Sequence, residues 1–525
     1  MSKEPIAKRS TGGFMRAFLV SVLGTGLSRV LGAARDIVIA RFLGAGAGSD
    51  AFWIAFTIPG VMRRFVADEG LTGALIPAVA RAEEEEGMDS ARQLANSILL
   101  GLLLVNALLC VLGIWGAEWL VKAFAYSFVD DPAKFELTVT MTRWLLPFTA
   151  MVSMVSFFEA LLNHRGHFFI PKLAPGLVSA GVVITVLLFS GHFEQPAYTL
   201  VAGVLIGGLA HVLVNVPPVL THWGMVGLSA AFGSPRFKSV FAELGKVVLI
   251  GLFAQVNLLI LRQLAAFLGD GAITHYWYAN RLVDLSTGMI AVAIGSALLP
   301  GISKSVVEQD WDQLRRELVN AWKLACFVLL PVAVVLLFFA TPVTEVVFHW
   351  GKYTWADVLM TSATLRWMVP FMLAAAAINL LKKVYFALED RNTLLVIGAG
   401  GVFLTGGLGM VLVPEHGVPG LAAALSASTV IQSAAYIVVL HRRLQKNLGL
   451  ADLMQPMTKM LLATVPVAAF LWVAQDWASW EDKTQELNNV LVLAGSLTAS
   501  GLLYVGAAWA LGLQELSRML ARLRR

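Results

Sequence analysis

About fourteen apolar stretches, each long enough to cross a bilayer as a helix of roughly 20 residues, recur along the chain with only short polar breaks between them. A soluble core could not hide that much apolar surface: 58% of the 525 residues are hydrophobic, 14% are charged, and the mean hydropathy is +0.74. Spans of this length satisfy their own backbone hydrogen bonds only as helices. The fold class is therefore an all-α integral membrane protein, not a barrel.

The charges sort by side. Lys3, Lys8 and Arg9 precede the first span, and Arg165 with Lys172, Arg236 with Lys238, and Arg442, Arg443 and Lys446 follow spans 4, 6 and 12. Connections such as "SGHFEQPAY", "LGDGA" and "PEHGVPG" carry neither Lys nor Arg. The positive-inside rule then places both termini in the cytoplasm, which requires an even number of spans. This alternation accounts for the net charge of +5 without invoking nucleic acid. The apolar run after the N-terminal basic flank contains Arg29 and lacks a small-residue cleavage site, so it reads as an uncleaved first span. Cys110 and Cys326 both sit in apolar runs and indicate neither a disulfide framework nor a metal site.

An internal repeat organises the chain. "RWLLPF" at 143–148 returns as "RWMVPF" at 366–371, and "ALIPAVARAEEE" at 74–85 returns as "ALLPGISKSVVE" at 297–308, both 223 residues on. "ARFLGAGAGSDAFW" at 40–53 returns as "AAFLGDGAITHYWY" at 265–278, 225 residues on. Six spans separate matched points, so the halves enter from the same side, as in transporters built from parallel repeats. The expected organisation is an N-lobe of spans 1–6 (residues 1–222), a C-lobe of spans 7–12 (239–443), and a C-terminal segment (457–525) holding spans 13 and 14 and a basic tail. A cleft between two such lobes is where polar groups can be hydrated within the bilayer.

A Lys or Arg at the centre of a membrane helix costs roughly 3 kcal/mol, so those present need a reason. Span 1 holds Arg29, Arg35, Asp36 and Arg41; span 2 adds Asp50, Arg63 and Arg64, with Asp68 and Glu69 beyond; span 8 adds Asn280, Arg281 and Asp284. Arg29 and Asp36, two turns apart, share a face, and Arg35 projects about a third of a turn away. By the repeat, Arg281 falls near the level of Phe56 to Ile58. Arg41, Arg63 and Arg64 could simply snorkel to an interface, and Arg35 and Asp36 could pair only to neutralise each other. Arg29 and Arg281 have no adjacent carboxylate at their depth. An excess of arginine suits an anionic ligand, and its planar fork favours phosphate.

Other features are weaker. "EEEE" at 83–86 reads as a solvated cytoplasmic face, and "LLNHRGHFFIPK" at 161–172 as a basic surface that attracts anionic membrane lipids. "FHWGKYTW" at 348–355 reads as an aromatic belt. "GAGAGSD" at 44–50 follows a helix, not a strand, which speaks against a nucleotide site. Pro59, Pro147, Pro331 and Pro370 fall inside spans and are candidate kinks.

The stretch "SRVLGAARDIVIARFLGAG" with "SDAFWIAF" and "MRRFVADEG", together with "YANRLVDLSTGMIAVAIGSALLPGISKS", resembles the MurJ (MviN) family of bacterial lipid II flippases, within the multidrug/oligosaccharidyl-lipid/polysaccharide exporter superfamily. The resemblance implies two six-helix lobes and a terminal helix pair that forms a groove for a lipid tail. It also implies that Arg29, Arg35, Asp36, Arg63 and Arg281 bind substrate. Asp50, Arg64, Asp68, Glu69, Asn280 and Asp284 become cavity or gating candidates. The chain departs from the family where Asn280 replaces the usual Asp, and where Asp68-Glu69 stands in place of a single Glu.

The resemblance further implies outward translocation of the undecaprenyl-pyrophosphate-linked peptidoglycan precursor across the cytoplasmic membrane by alternating access, with no cofactor and no metal, and with cell-wall synthesis proteins as partners. No ATPase motif is present. The alternatives are export of another polyprenyl-linked oligosaccharide or, more distantly, a membrane-embedded glycosyltransferase or phosphotransferase.

Overall fold

The computed structural model describes residues 11–66, 69–224, 227, 229, 231–444 and 451–517; for some of these, including 63–66, 69–74 and 288–300, only the backbone is described. Among the described residues every regular element is helical, as the hydropathy pattern requires. Eight of these helices are long and apolar enough to cross a membrane. The chain divides into two compact units, Met1–Leu259 and Ile260–Arg525.

The first unit contains α1 (Thr11–Leu43), α2 (Ala47–Val66), α3 (Glu69–Glu86), α4 (Met88–Trp115), α5 (Ala117–Phe124), α6 (Pro132–His164), α7 (Phe169–Leu173), α8 (Gly176–Phe189) and α9 (Pro196–Trp223). It also holds most of α10 (Pro235–Ala266). Its core gathers Leu75 and Val79 from α3, Ile98 and Leu102 from α4, Phe157 and Leu161 from α6, and Trp223 from α9. Lipid tails are as apolar as the helices, so contact here depends on close packing. Glycines supply it between α8 and α9: a Cβ on Gly207 would lie 2.6 Å from the Leu177 carbonyl oxygen, and one on Gly181 2.6 Å from that of Gly203.

The second unit contains α11 (Ala272–Val307), α12 (Trp311–Phe338), α13 (Ala340–Phe348), α14 (Trp355–Ala387), α15 (Arg391–Leu444), α16 (Ala451–Ala474) and α17 (Glu486–Ala510). Gly417, inside "PEHGVPG", has φ 62° and splits α15 into two helical stretches; the left-handed backbone there favours glycine. These stretches are tied by hydroxyls: Thr405 Oγ1 and Ser428 Oγ both donate to the Gly401 carbonyl, at 2.9 and 2.8 Å. The C-terminal pair docks on α12 and α13 through Phe327, Phe339, Val467, Leu471, Trp480 and Tyr504.

The repeat survives at the level of single bonds. α6 and α14 each have 33 residues and begin 223 positions apart. Arg143 Nε donates to the Ile114 carbonyl at 3.4 Å and its Nη2 to Glu118 at 3.3 Å. Arg366 repeats this on the equivalent residues, donating to the Leu337 carbonyl at 3.3 Å and to Thr341 Oγ1 at 2.9 Å. The arginine of "RWLLPF" and "RWMVPF" therefore fastens the end of one long helix to the start of the next.

Two surface segments do more than the sequence suggests. The acidic run at the end of α3 is exposed at Glu84, Glu85 and Glu86, as a solvated face should be, but it is also paired: Glu83 meets His164 at 3.0 Å and Arg165 at 2.9 Å, while Glu85 and Glu86 grip Arg236 at 2.6 and 2.7 Å. Part of the basic segment read as lipid-attracting is thereby engaged within the protein. Nor is "FHWGKYTW" only an interfacial belt, because Phe348, His349 and Tyr353 are buried and Tyr278 stacks on Phe348 at 4.4 Å.

Candidate functional site

α1 carries its charges at different depths of burial. Arg35 and Asp36 are both buried, and Arg35 Nε and Nη2 donate to Asp36 Oδ1 at 2.9 and 2.7 Å. The guanidinium also lies 5.9 Å from the Trp53 ring and 5.6 Å from the Phe56 ring of α2, where the aromatic faces favour a cation. A buried charge needs such compensation. Arg35 and Asp36 therefore pair, as one of the sequence readings has it, with the Arg35 side chain folding back onto its neighbour. Arg29 is half-buried and makes no ion pair among the described residues. Arg41 is exposed.

Asp50, in the first turn of α2, is fully buried against Lys134 Nζ at 3.4 Å. Lys134 is 5% exposed, lies in the first turn of α6, and has its ammonium 4.1 Å from the Phe128 ring. Inspection of the spans misses this lysine because it lies in a connection between them. The repeat could have found it: position 357, 223 residues on, is also charged.

On α11, Asn280 Nδ2 donates to Asp284 Oδ2 at 2.9 Å, one turn away. Asp284 is exposed to a cavity of about 190 Å³ whose polar lining also includes Thr287, Asn379 and Lys383, set among Leu329, Met372 and other apolar groups. Arg281 is half-buried on the same helix. Asn379 and Lys383 are additions to the residues expected from sequence. Arg63 and Arg64 lie in α2 and Glu69 opens α3, but their side chains are outside the described residues, as is Asp68 altogether.

A family profile described as "Lipid II flippase MurJ" matches residues 39–491, most of the chain. The chain belongs to the MurJ family. A MurJ relative from Burkholderia cenocepacia, "Lipid II flippase MurJ", is 30% identical over 501 residues, covering 94% of this chain and 97% of the relative. A Bdellovibrio bacteriovorus protein, "Probable lipid II flippase MurJ", is 29% identical over 506 residues, covering 96% and 95%. Among solved structures, MurJ in an inward closed conformation superposes with a TM-score of 0.76 at 20% identity, covering 97% of this chain and all of that one. An inward-facing multidrug MATE transporter gives 0.67 at 14%, covering 82% and 98%. The two structures share the fold, and the MurJ profile spans both units of this multi-pass membrane protein.

Proposed function

We propose that this chain is a transporter, not an enzyme, and moves lipid II from the inner to the outer leaflet of the bacterial cytoplasmic membrane by alternating access. The observation that carries the reading is the MurJ match over residues 39–491. Counting α1, α2, α8, α10, α11 and both stretches of α15 with the remaining long apolar helices gives fourteen spans, with both termini cytoplasmic.

In this reading Arg29, Arg35, Arg63 and Arg281 are substrate-binding residues suited to a pyrophosphate. Arg29 is the strongest candidate, because its fork is not spent on a carboxylate among the described residues. Arg35 is held by Asp36 and the two rings of α2, so its part is to present a fixed positive edge. Phosphate oxygens could displace or share that pairing through bidentate hydrogen bonds. An inside-negative potential favours outward movement of an anion by roughly 2.3 kcal/mol per charge per 100 mV. Cell-wall synthesis proteins that supply and consume lipid II are the partners such a cycle requires.

The test is rescue of a bacterium depleted of its own lipid II flippase by this chain and by its Arg29→Ala and Arg281→Ala variants at matched membrane levels. Rescue by the wild type alone supports the assignment. Failure of a well-inserted wild type points to another polyprenyl-linked substrate, and rescue by both variants removes the arginines from the mechanism.

A further inference from the structure

α13 and the first turn of α17 meet around three polar side chains that none of the foregoing uses. Glu345 is 4% exposed, His349 4% and Asn489 0%. Asn489 Nδ2 donates to Glu345 Oε1 at 3.1 Å and to the Ser479 carbonyl at 3.3 Å, which occupies both of its hydrogens. Three atoms of the cluster are buried without a hydrogen-bond partner: Glu345 Oε2, Asn489 Oδ1 and His349 Nδ1. The surroundings are apolar, with Phe339, Trp480 and Leu493 in the same core.

An ionised Glu345 fits poorly here. Its carboxylate would keep one neutral hydrogen bond and leave its second oxygen dry, a costly state for a buried charge. The charged and titratable groups around the cluster do not remedy this. His349, the residue that caps the C-terminus of α13, holds its Nδ1 3.9 Å from Oε1, beyond hydrogen-bond range. Lys483, from the adjoining short helix, spends its ammonium on the Gly351 and Tyr353 carbonyls at 3.2 and 3.3 Å. Glu486 on α17 adds like charge, and Asp357 on α14 faces His349.

We infer that Glu345 binds one proton and is held as a carboxylic acid by the amide of Asn489, a proton site that fastens α17 to α13. A single proton on Oε2 gives a donor to the side that lacks one, and Asn489 Oδ1 is an acceptor that lacks a donor. Acid and amide then join by two hydrogen bonds, Nδ2–H to Oε1 and Oε2–H to Oδ1, and two of the three unpartnered atoms are accounted for. Burial pushes the Glu345 carboxyl up, and the Asn489 hydrogen bond offsets this only in part. The proton comes from the aqueous phase beside the α12–α14 connection. Its loss leaves an uncompensated charge in the contact that holds the C-terminal pair.

Infrared difference spectra of the full-length protein in lipid nanodiscs, wild type minus Glu345→Gln at neutral pH, test this directly. The expected result is a carbonyl band of a protonated carboxylic acid that is present in the wild type, absent in the variant, and shifted in Asn489→Leu by loss of the amide partner. A carboxylate band in its place overturns the inference, as does an acid band that Asn489→Leu leaves unmoved. Because Gln keeps both hydrogen bonds to Asn489, Glu345→Gln is expected to fold. Its melting temperature should match that of the wild type below the ordinary glutamate range. A carboxyl whose folded pKa is raised contributes stability that is fully present below the unfolded value and is lost as pH rises from there through the folded one, so only the wild type should lose stability across that range. An identical pH profile for the two proteins is the second result that overturns it.

Discussion

Lys134 sits 3.4 Å from Asp50 at the positions that the repeat gives to Asp357 and His275. In the second unit His275 Nε2 lies 3.5 Å from Asp357 Oδ1, so a cross-helix contact recurs with the carboxylate on the other helix of the pair. Asp357 also closes the capping box of α14 with Thr354, as Asp131 caps α6 at the equivalent place. The first unit thus ties the first turns of α2 and α6 by a buried ion pair, and the second brings the first turns of α11 and α14 together through a histidine and a half-buried aspartate.

Breaking the Asp50–Lys134 pair should be expensive. Lys134→Met leaves the buried Asp50 without its lysine and is expected to destabilise by on the order of 3–5 kcal/mol. Adding Asp50→Leu should recover much of the loss, because two apolar groups need no compensation. Thermal unfolding of both single variants and of the double variant measures this coupling; a double-variant loss equal to the sum of the two single losses would show that the residues act independently.

Arg29 and Arg35 should separate function from stability. Arg29→Ala removes a half-buried cation with no ion pair among the described residues, so rescue of flippase depletion is expected to fail while the melting temperature barely moves. Arg35→Ala strands the buried Asp36 and should lower both. Arg35→Lys cannot donate from two fork nitrogens to Asp36 Oδ1 and is expected to recover stability only in part. A large fall in melting temperature for Arg29→Ala would contradict this division.

Gly207 should tolerate no side chain. A Cβ there meets the Leu177 carbonyl oxygen at 2.6 Å and Val178 Cα at 2.6 Å, both backbone atoms that cannot rotate away. Gly207→Leu is expected to force α8 and α9 apart and to abolish monodisperse protein on size-exclusion chromatography. Gly191→Ala, at a position with nothing within 4 Å, serves as the unaffected control.

The Glu83 cluster should give acid-sensitive stability. Burial raises the Glu83 carboxyl, but hydrogen bonds from His164 and Arg165 outweigh it and hold the group below its ordinary value of 4.5. A lowered folded pKa contributes stability that is fully present above the unfolded value and is lost as pH falls through the folded one. The melting-temperature gap between wild type and Glu83→Gln should therefore stay constant from neutral pH down to the ordinary carboxylate range and close below it. A gap that closes already between pH 7 and the ordinary glutamate value would assign the effect to His164 instead.

The helical class, the repeat and the arginines of α1, α2 and α11 could be read from the chain alone. Hydropathy runs, the 223-residue offset and a charge inside an apolar run are all local properties of sequence. The offset even carried detail that the spans by themselves did not: it aligns Arg143 with Arg366 and Lys134 with Asp357, each of which proves to hold equivalent helices together. What local pattern cannot give is the partner of a charge. Asp50 and Lys134 are 84 residues apart, and Glu345 and Asn489 are 144. Glu83 looked solvated until α6 brought His164 and Arg165 to it. The sequence determined which segments enter the membrane and which residues are costly there. Only the packing of helices distant in the chain decided how each cost is met, because burial and pairing depend on which faces touch, and that is settled once every helix has taken its place.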